Sequence, residues 1–248
     1  LRGCALLEIR NLSVRFGGIQ AVKSVSFDVQ PGTITALLGP NGAGKTTTFA
    51  MIAGFVQPTE GTVRFEGTDI TGWAAERISA LGMVRTFQVT QPFAGLSVAH
   101  NIRVGAFLRH RNPRVAEEKA RDVGTRLGLG PMLDRPASAL TVAGCKRLEV
   151  ARALATEPRL LLLDEVMAGL NPSEINEIVA LIREVRAAGV TILLIEHIMQ
   201  AVAALADTAH VLAQGSLIAS GTPQSIAGDP KVIEAYLGHG AAERMARG

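Results

Sequence analysis

The stretch that most constrains this chain is Gly39-Pro40-Asn41-Gly42-Ala43-Gly44-Lys45-Thr46-Thr47, which follows the apolar run 34–38 and precedes a helical pattern starting near Thr47. The spacing Gly39, Gly44, Lys45, Thr46 reads as strand, phosphate-binding loop and helix. A side chain would keep phosphate oxygens away from the backbone N–H groups, so glycine recurs where the chain must wrap an anion. The unpaired N–H groups opening the next helix, and its dipole, face the same charge. Gly39, Pro40, Asn41, Gly42, Ala43, Gly44, Lys45, Thr46 and Thr47 are therefore the expected nucleotide-binding segment. Lys45 is expected to reach the β- and γ-phosphates, and the Thr46 hydroxyl to ligate Mg²⁺.

At 248 residues the chain has room for one large domain, or one domain with an inserted lobe. With 26 glycines, 4% aromatic and 48% hydrophobic residues, it reads as an aliphatic-rich α/β protein. No apolar stretch nears the roughly 20 residues of a membrane span. The start of the chain shows no apolar leader, and Cys4 and Cys145 cannot form a disulfide framework, so a cytosolic location is expected. A net charge of +3 is too small to argue for nucleic acid.

Taken in order, residues 6–14 and 22–29 alternate as two antiparallel strands joined at Phe16-Gly17-Gly18, with Phe16 placed to stack on a base. A helix over 47–53 stops at Gly54, and a strand follows over 62–65. The apolar segment 81–88 ends in Gln88, whose amide can serve both a metal ion and an attacking water. From 89 to 155 the pattern turns helical, as in 115–127, with breaks at Pro113, Gly128, Gly130 and Pro131. Within it Arg103, Arg109, His110, Arg111 and Arg114 form a basic run, read as a solvated face, with attraction to lipid headgroups as the lesser option. Leu140-Thr141-Val142-Ala143-Gly144 opens a helix over 145–155, either as a second anion site or as an ordinary cap by Thr141.

Arg159-Leu160-Leu161-Leu162-Leu163-Asp164-Glu165 is a strand buried on both faces that ends in two acids, the edge where parallel sheets bind ligands. Asp164 is expected to hold Mg²⁺ and Glu165 to act as base for an attacking water. A helix over 173–187 and a strand over 190–195 follow, and His197 stands just past that strand, where it could donate to a γ-phosphate. After 201–206 the chain closes with a hairpin of 211–213 and 217–219 around Gln214-Gly215, and a helix over 230–237.

In this order the motifs resemble those of the ATP-binding subunits of ABC transporters, over nearly the whole chain. Gly39–Thr46 looks like Walker A, Leu160 to Glu165 like Walker B, Gln88 like the Q-loop glutamine, His197 like the switch histidine, and Phe16 like the adenine-stacking aromatic. Val84-Arg85-Thr86-Phe87-Gln88, Ala168-Gly169-Leu170-Asn171-Pro172, Leu194-Ile195-Glu196-His197-Ile198-Met199 and Ala235-Tyr236-Leu237-Gly238 resemble the LivG branch, which energises branched-chain amino-acid importers. The signature motif departs from Leu-Ser-Gly-Gly-Gln: Thr141 keeps a hydroxyl, Ala143 replaces a glycine and Gly144 the glutamine. The aspartate position of the D-loop holds Asn171.

The resemblance implies a P-loop NTPase (RecA-like) α/β core with a largely parallel sheet, an antiparallel β part and an inserted helical subdomain. Residues 1–248 would be a single ATPase domain, 1–88 and 156–248 its core and 89–155 the helical part. It implies ATP and Mg²⁺ as ligands, Glu165, His197, Gln88 and Lys45 as catalytic residues, and Thr46, Gln88 and Asp164 as metal-holding ones. Thr141, Ala143 and Gly144 would meet the nucleotide of an opposite subunit in a head-to-tail dimer, formed with itself or with a LivF-like sister. Further implied partners are transmembrane permease subunits and, indirectly, an external binding protein, with this subunit peripheral on the cytoplasmic face and no nucleic acid involved. Lipopolysaccharide-export ATPases are the nearest rival reading; soluble ABC proteins of repair or translation lack support, since neither a long coiled coil nor a second nucleotide domain is present.

Overall fold

The computed structural model describes residues 5–86 and 92–237, so the expected role of Gln88 lies outside the described residues. The chain forms two compact units, 1–78 with 191–248, and 79–190.

The first unit opens with β1 (Leu7–Phe16) and β2 (Ile19–Val29), antiparallel from Leu7 opposite Val29 to Phe16 opposite Ile19. Leu7, Ile9, Leu12 and Val14 of β1 are buried, and the register shifts around Asn11, where φ is 50°. Next come β3 (Ile34–Leu38), buried at every position, and α1 (Lys45–Ile52). Then β4 (Glu60–Phe65) pairs antiparallel with the other edge of β1, and β5 (Thr68–Asp69) with β4, giving a sheet of order β2-β1-β4-β5. The boundary between the units falls within α2 (Ala75–Leu81).

In the second unit β6 (Met83–Arg85) runs parallel to β7 (Leu160–Asp164), with Met83 level with Leu160 and Arg85 with Leu162. Of the expected strand over 81–88, residues 83–85 form β6, and 87 and 88 lie outside the described residues. Among the described residues three α-helices lie between: α3 (Val98–Ala106), α4 (Pro113–Arg126) and α5 (Val142–Leu154). Each begins at a polar side chain that accepts a helix N–H, namely Ser97, Asn112 and Thr141. α5 starts three residues before the expected position, because the Thr141 cap sets its first turn. Gly105 of α3 lies so close to α5 that a Cβ would collide with the Arg152 carbonyl oxygen. Asn101 is fully buried, yet its amide donates to the Phe93 and Ser97 carbonyls and its oxygen accepts the Phe93 N–H, which ties 93–97 to α3.

The basic run is largely spent inside this unit. Arg103 bonds Glu117, Arg109 donates to the Thr156 and Ala80 carbonyls, and His110 sits 3.2 Å from Glu157. α6 (Pro172–Ala187) completes the unit, capped by a reciprocal pair in which Asn171 and Glu174 each accept the other's backbone N–H.

The chain returns to the first unit through β8 (Thr191–Ile195), α7 (Met199–Leu205), β9 (Thr208–Ala213), β10 (Ser216–Gly221), α8 (Pro223–Ala227) and α9 (Pro230–Leu237). β3 is parallel to β8 on one side and β9 on the other, and β10 is antiparallel to β9. β3 and β8 are buried at every position and apolar except for Thr35 and Thr191, as in a parallel sheet covered on both faces. Gln214 (φ 49°) and Gly215 (φ 82°) make the β9–β10 turn with both residues left-handed, as a tight two-residue hairpin requires. Among the described residues no helix is long and apolar enough to cross a membrane.

Candidate nucleotide site

The phosphate loop leaves the C-terminal end of β3, the edge at which parallel sheets present ligand-binding loops. Gly39 has φ 142°, and a Cβ there would strike the Leu212 carbonyl oxygen of β9, so only glycine fits. Gly42 and Gly44 also have positive φ, at 77° and 100°. Gly44 is the N-cap of α1 and supplies no side-chain cap, which leaves the first N–H groups of the helix for an anion. Thr46 is exposed at that helix start, while Lys45 is buried with its ammonium folded back over the loop. Lys45 Nζ donates to the Gly39 carbonyl at 2.8 Å and to that of Pro40 at 3.0 Å.

Two further contacts brace the loop from the same unit. The Gly215 N–H donates to the Ala43 carbonyl at 3.1 Å while the Gly215 carbonyl accepts from the Lys23 N–H at 2.7 Å. The Gly39 N–H donates to the Tyr236 hydroxyl of α9 at 2.8 Å. His197 is exposed two residues beyond Ile195, which is level with Leu37; Gly39 stands two residues beyond Leu37, so His197 leaves the same edge of the sheet as the loop. Phe16 ends β1 with 51% of its surface exposed, a ring available for stacking.

In the second unit Asp164 ends β7 with no exposure at all. Its N–H donates to the Thr86 hydroxyl at 3.2 Å, and its Oδ2 accepts from Arg85 Nη2 at 2.7 Å. Oδ1 has no hydrogen-bond partner among the described residues. A buried carboxylate oxygen left over in this way suits a hard cation such as Mg²⁺, which takes oxygen ligands and keeps the remainder from water and phosphate. No group of three or more metal-ligating side chains occurs among the described residues. Glu165 follows with φ 51°, a strained backbone position for a non-glycine residue, and its carbonyl accepts from Lys146 Nζ at 3.4 Å.

The altered signature segment is the start of α5. The Thr141 hydroxyl accepts the Gly144 N–H at 3.1 Å, Val142 is exposed and Ala143 is buried. The Thr141 cap expected for this stretch is present. Cys145, half-buried one turn further, has its thiol pushed up by burial, which disfavours the reactive thiolate.

Residues 22–168 match the profile of a family described as "ABC transporter". The chain belongs to the ABC transporter family. A second profile, "Branched-chain amino acid ATP-binding cassette transporter", matches residues 216–242, which hold β10, α8, α9 and Tyr236. The high-affinity branched-chain amino acid transport ATP-binding protein BraF of Pseudomonas aeruginosa is 40% identical over 250 residues, 94% of this chain and 98% of that one. LivG of Escherichia coli, described in the same words, is 41% identical over 249 residues with the same shares covered. Among solved structures, the ADP conformation of an ATP-binding cassette of an ABC transporter superposes with a TM-score of 0.87 at 33% identity, covering 95% of this chain and all of that one. The α/β cassette fold and the ATPase class expected from the motifs are thereby established.

Reasoning from sequence alone gave no role to Arg85 or Tyr236, although both lie in segments that resemble the LivG branch. The signal for Arg85 was a charge at the end of an otherwise apolar strand. For Tyr236 there was none, since its partner is 197 residues away.

Proposed function

We propose that this protein is the ATP-hydrolysing subunit of an importer for branched-chain or related amino acids, bound peripherally to permease subunits at the cytoplasmic face of the membrane. The observation that carries the substrate class is the match of residues 216–242 to the branched-chain profile, joined to 40% identity with BraF over nearly the full length of both chains. Those likenesses favour the importer over lipopolysaccharide export.

In this reading the backbone of Gly39 to Thr47 cradles the phosphates, Lys45 swings from its carbonyl partners onto the β- and γ-oxygens, and Phe16 stacks on the adenine. Thr46, Asp164 and Gln88 would hold Mg²⁺, which supplies charge neutralisation to the phosphates when bound. Glu165 accepts the proton of the attacking water and His197 donates to the γ-phosphate. Thr141, Ala143 and Gly144 would meet the nucleotide of a second ATPase subunit, so that ATP closes the pair and hydrolysis releases it.

The test is affinity capture of the subunit from detergent-solubilised membranes, together with Mg²⁺-dependent ATP hydrolysis by the captured complex. Two permeases of the branched-chain type, with or without a sister ATPase, are expected. A lipopolysaccharide-export permease pair, or no membrane partner, would overturn the substrate assignment.

A further inference from the structure

We propose that Tyr236 is a positioning residue for nucleotide binding: its hydroxyl fixes the first joint of the phosphate loop, and through Gly39 it sets where Lys45 waits. The inference rests on the ATP-binding role of that loop and concerns α9, a part of the chain about which the loop motif itself says nothing.

The geometry is a short relay. Gly39 N–H donates to Tyr236 Oη at 2.8 Å, and the Gly39 carbonyl accepts from Lys45 Nζ at the same distance. The N–H and the carbonyl belong to successive peptide planes, and the two torsions of Gly39 are the joint between them. Glycine is the residue with the most torsional freedom, so an unanchored Gly39 would let the loop start wander. On one side the Leu212 carbonyl oxygen limits it; on the other the Tyr236 hydroxyl holds its N–H. Pro40, next in line, has no N–H with which to take over.

Pro40, Asn41 and Gln214 line a cleft of about 490 Å³ together with Lys231 and Glu234 of α9. The Tyr236 phenol reaches the loop from the last turn of that helix. Burial pushes the Tyr236 phenol up, partly offset by the Gly39 N–H, so the group stays neutral and can both accept and donate.

The experiment is Tyr236→Phe, which removes one oxygen and keeps the ring. The dissociation constants of ATP and ADP, read with a fluorescent nucleotide, are expected to rise about three- to ten-fold, the range of one lost hydrogen bond. In steady state KM for ATP rises by the same factor while kcat stays within about twofold, because the hydroxyl organises the loop before chemistry and touches no reacting atom. In protein labelled with ¹⁵N-glycine, the Gly39 amide resonance moves in the variant without nucleotide. Unchanged dissociation constants, or a loss confined to kcat, would overturn the role of Tyr236 and leave the ATPase reading intact. Failure of the unaltered protein to bind either nucleotide would remove that reading and the proposal with it.

Discussion

Arg85 Nη2 donates to Asp164 Oδ2 at 2.7 Å, and the two side chains are 8% and 0% exposed. Two charges so far from water are stable only together, since each would face its full desolvation cost alone. The strand register makes the pair: Arg85 is level with Leu162 in the parallel β6–β7 ladder, two residues short of Asp164. Arg85→Met is expected to lower stability by about 3–5 kcal/mol in urea unfolding, because it strands a buried carboxylate. Adding Asp164→Asn should restore part of that loss, so that the two changes are far from additive. Additive effects would show that the ion pair has no energetic meaning.

Glu165 is the residue on which turnover should depend most. Glu165→Gln keeps the size and hydrogen bonding of the side chain but cannot take a proton, so kcat is expected to fall by about 10²–10⁴-fold while ATP still binds. A gel-filtration shift toward dimer in ATP and Mg²⁺ is the companion readout, since a closed pair that cannot hydrolyse does not reopen. Turnover at the unaltered rate would exclude Glu165 as the base.

Gly39→Ala tests the shape of the loop rather than its charge. The backbone at φ 142° alone costs a non-glycine residue about 1–3 kcal/mol, and the added methyl would also press on the Leu212 carbonyl. Loss of nucleotide affinity by equilibrium binding is expected to exceed that of Thr47→Ser, which leaves the backbone unstrained.

His210 in β9 gives the fold an acid-sensitive point. Its ring lies 4.8 Å from that of Phe27, its Nδ1 is 2.8 Å from the Ser220 hydroxyl, and the residue is 7% exposed. Burial lowers its pKa from 6.5 to about 4, against a smaller upward pull from Asp28. The folded state thus takes up a proton less readily than the unfolded chain. The stability contributed is complete above pH 6.5 and drains away as pH falls toward 4, on the order of 3 kcal/mol across that window. Unfolding free energies measured at pH 7 and pH 4.5 should differ by about 2–3 kcal/mol less in His210→Leu than in the unaltered protein. An unchanged pH dependence would assign the acid sensitivity to other groups.

Elements whose pattern is local were legible in the sequence. The four leucines before Asp164, the alternation of 6–14, the periodicity of 115–127 between Pro113 and Gly128 and the helix over 230–237 each carry their own period or punctuation. Short elements were not: α8 has five residues and β5 two, too few for any periodicity to show. α3 falls in the 89–155 stretch read as helical, but its bounds were hidden because its apolar positions sit among glycine and polar residues that make sense only once Asn101 and Gly105 are seen holding 93–97 and α5. At the nucleotide site the loop and the paired acids could be read from residue types, whereas Arg85 and Tyr236 act through register and long-range docking, which a linear pattern does not encode.

The Gln214-Gly215 turn has one more consequence. Two-residue hairpin tips at a protein surface are the places where tags, reporter peptides and randomised segments are ordinarily spliced in, since little depends on them. Here the Gly215 N–H and carbonyl are both committed, to Ala43 and to Lys23, and a Cβ at Gly215 would lie 2.7 Å from the Ala21 carbonyl oxygen. The turn works as a buckle joining the first sheet to the phosphate loop. Anyone labelling this subunit should leave that tip intact and choose instead the Gly67 turn between β4 and β5, where an added Cβ meets nothing within 4 Å.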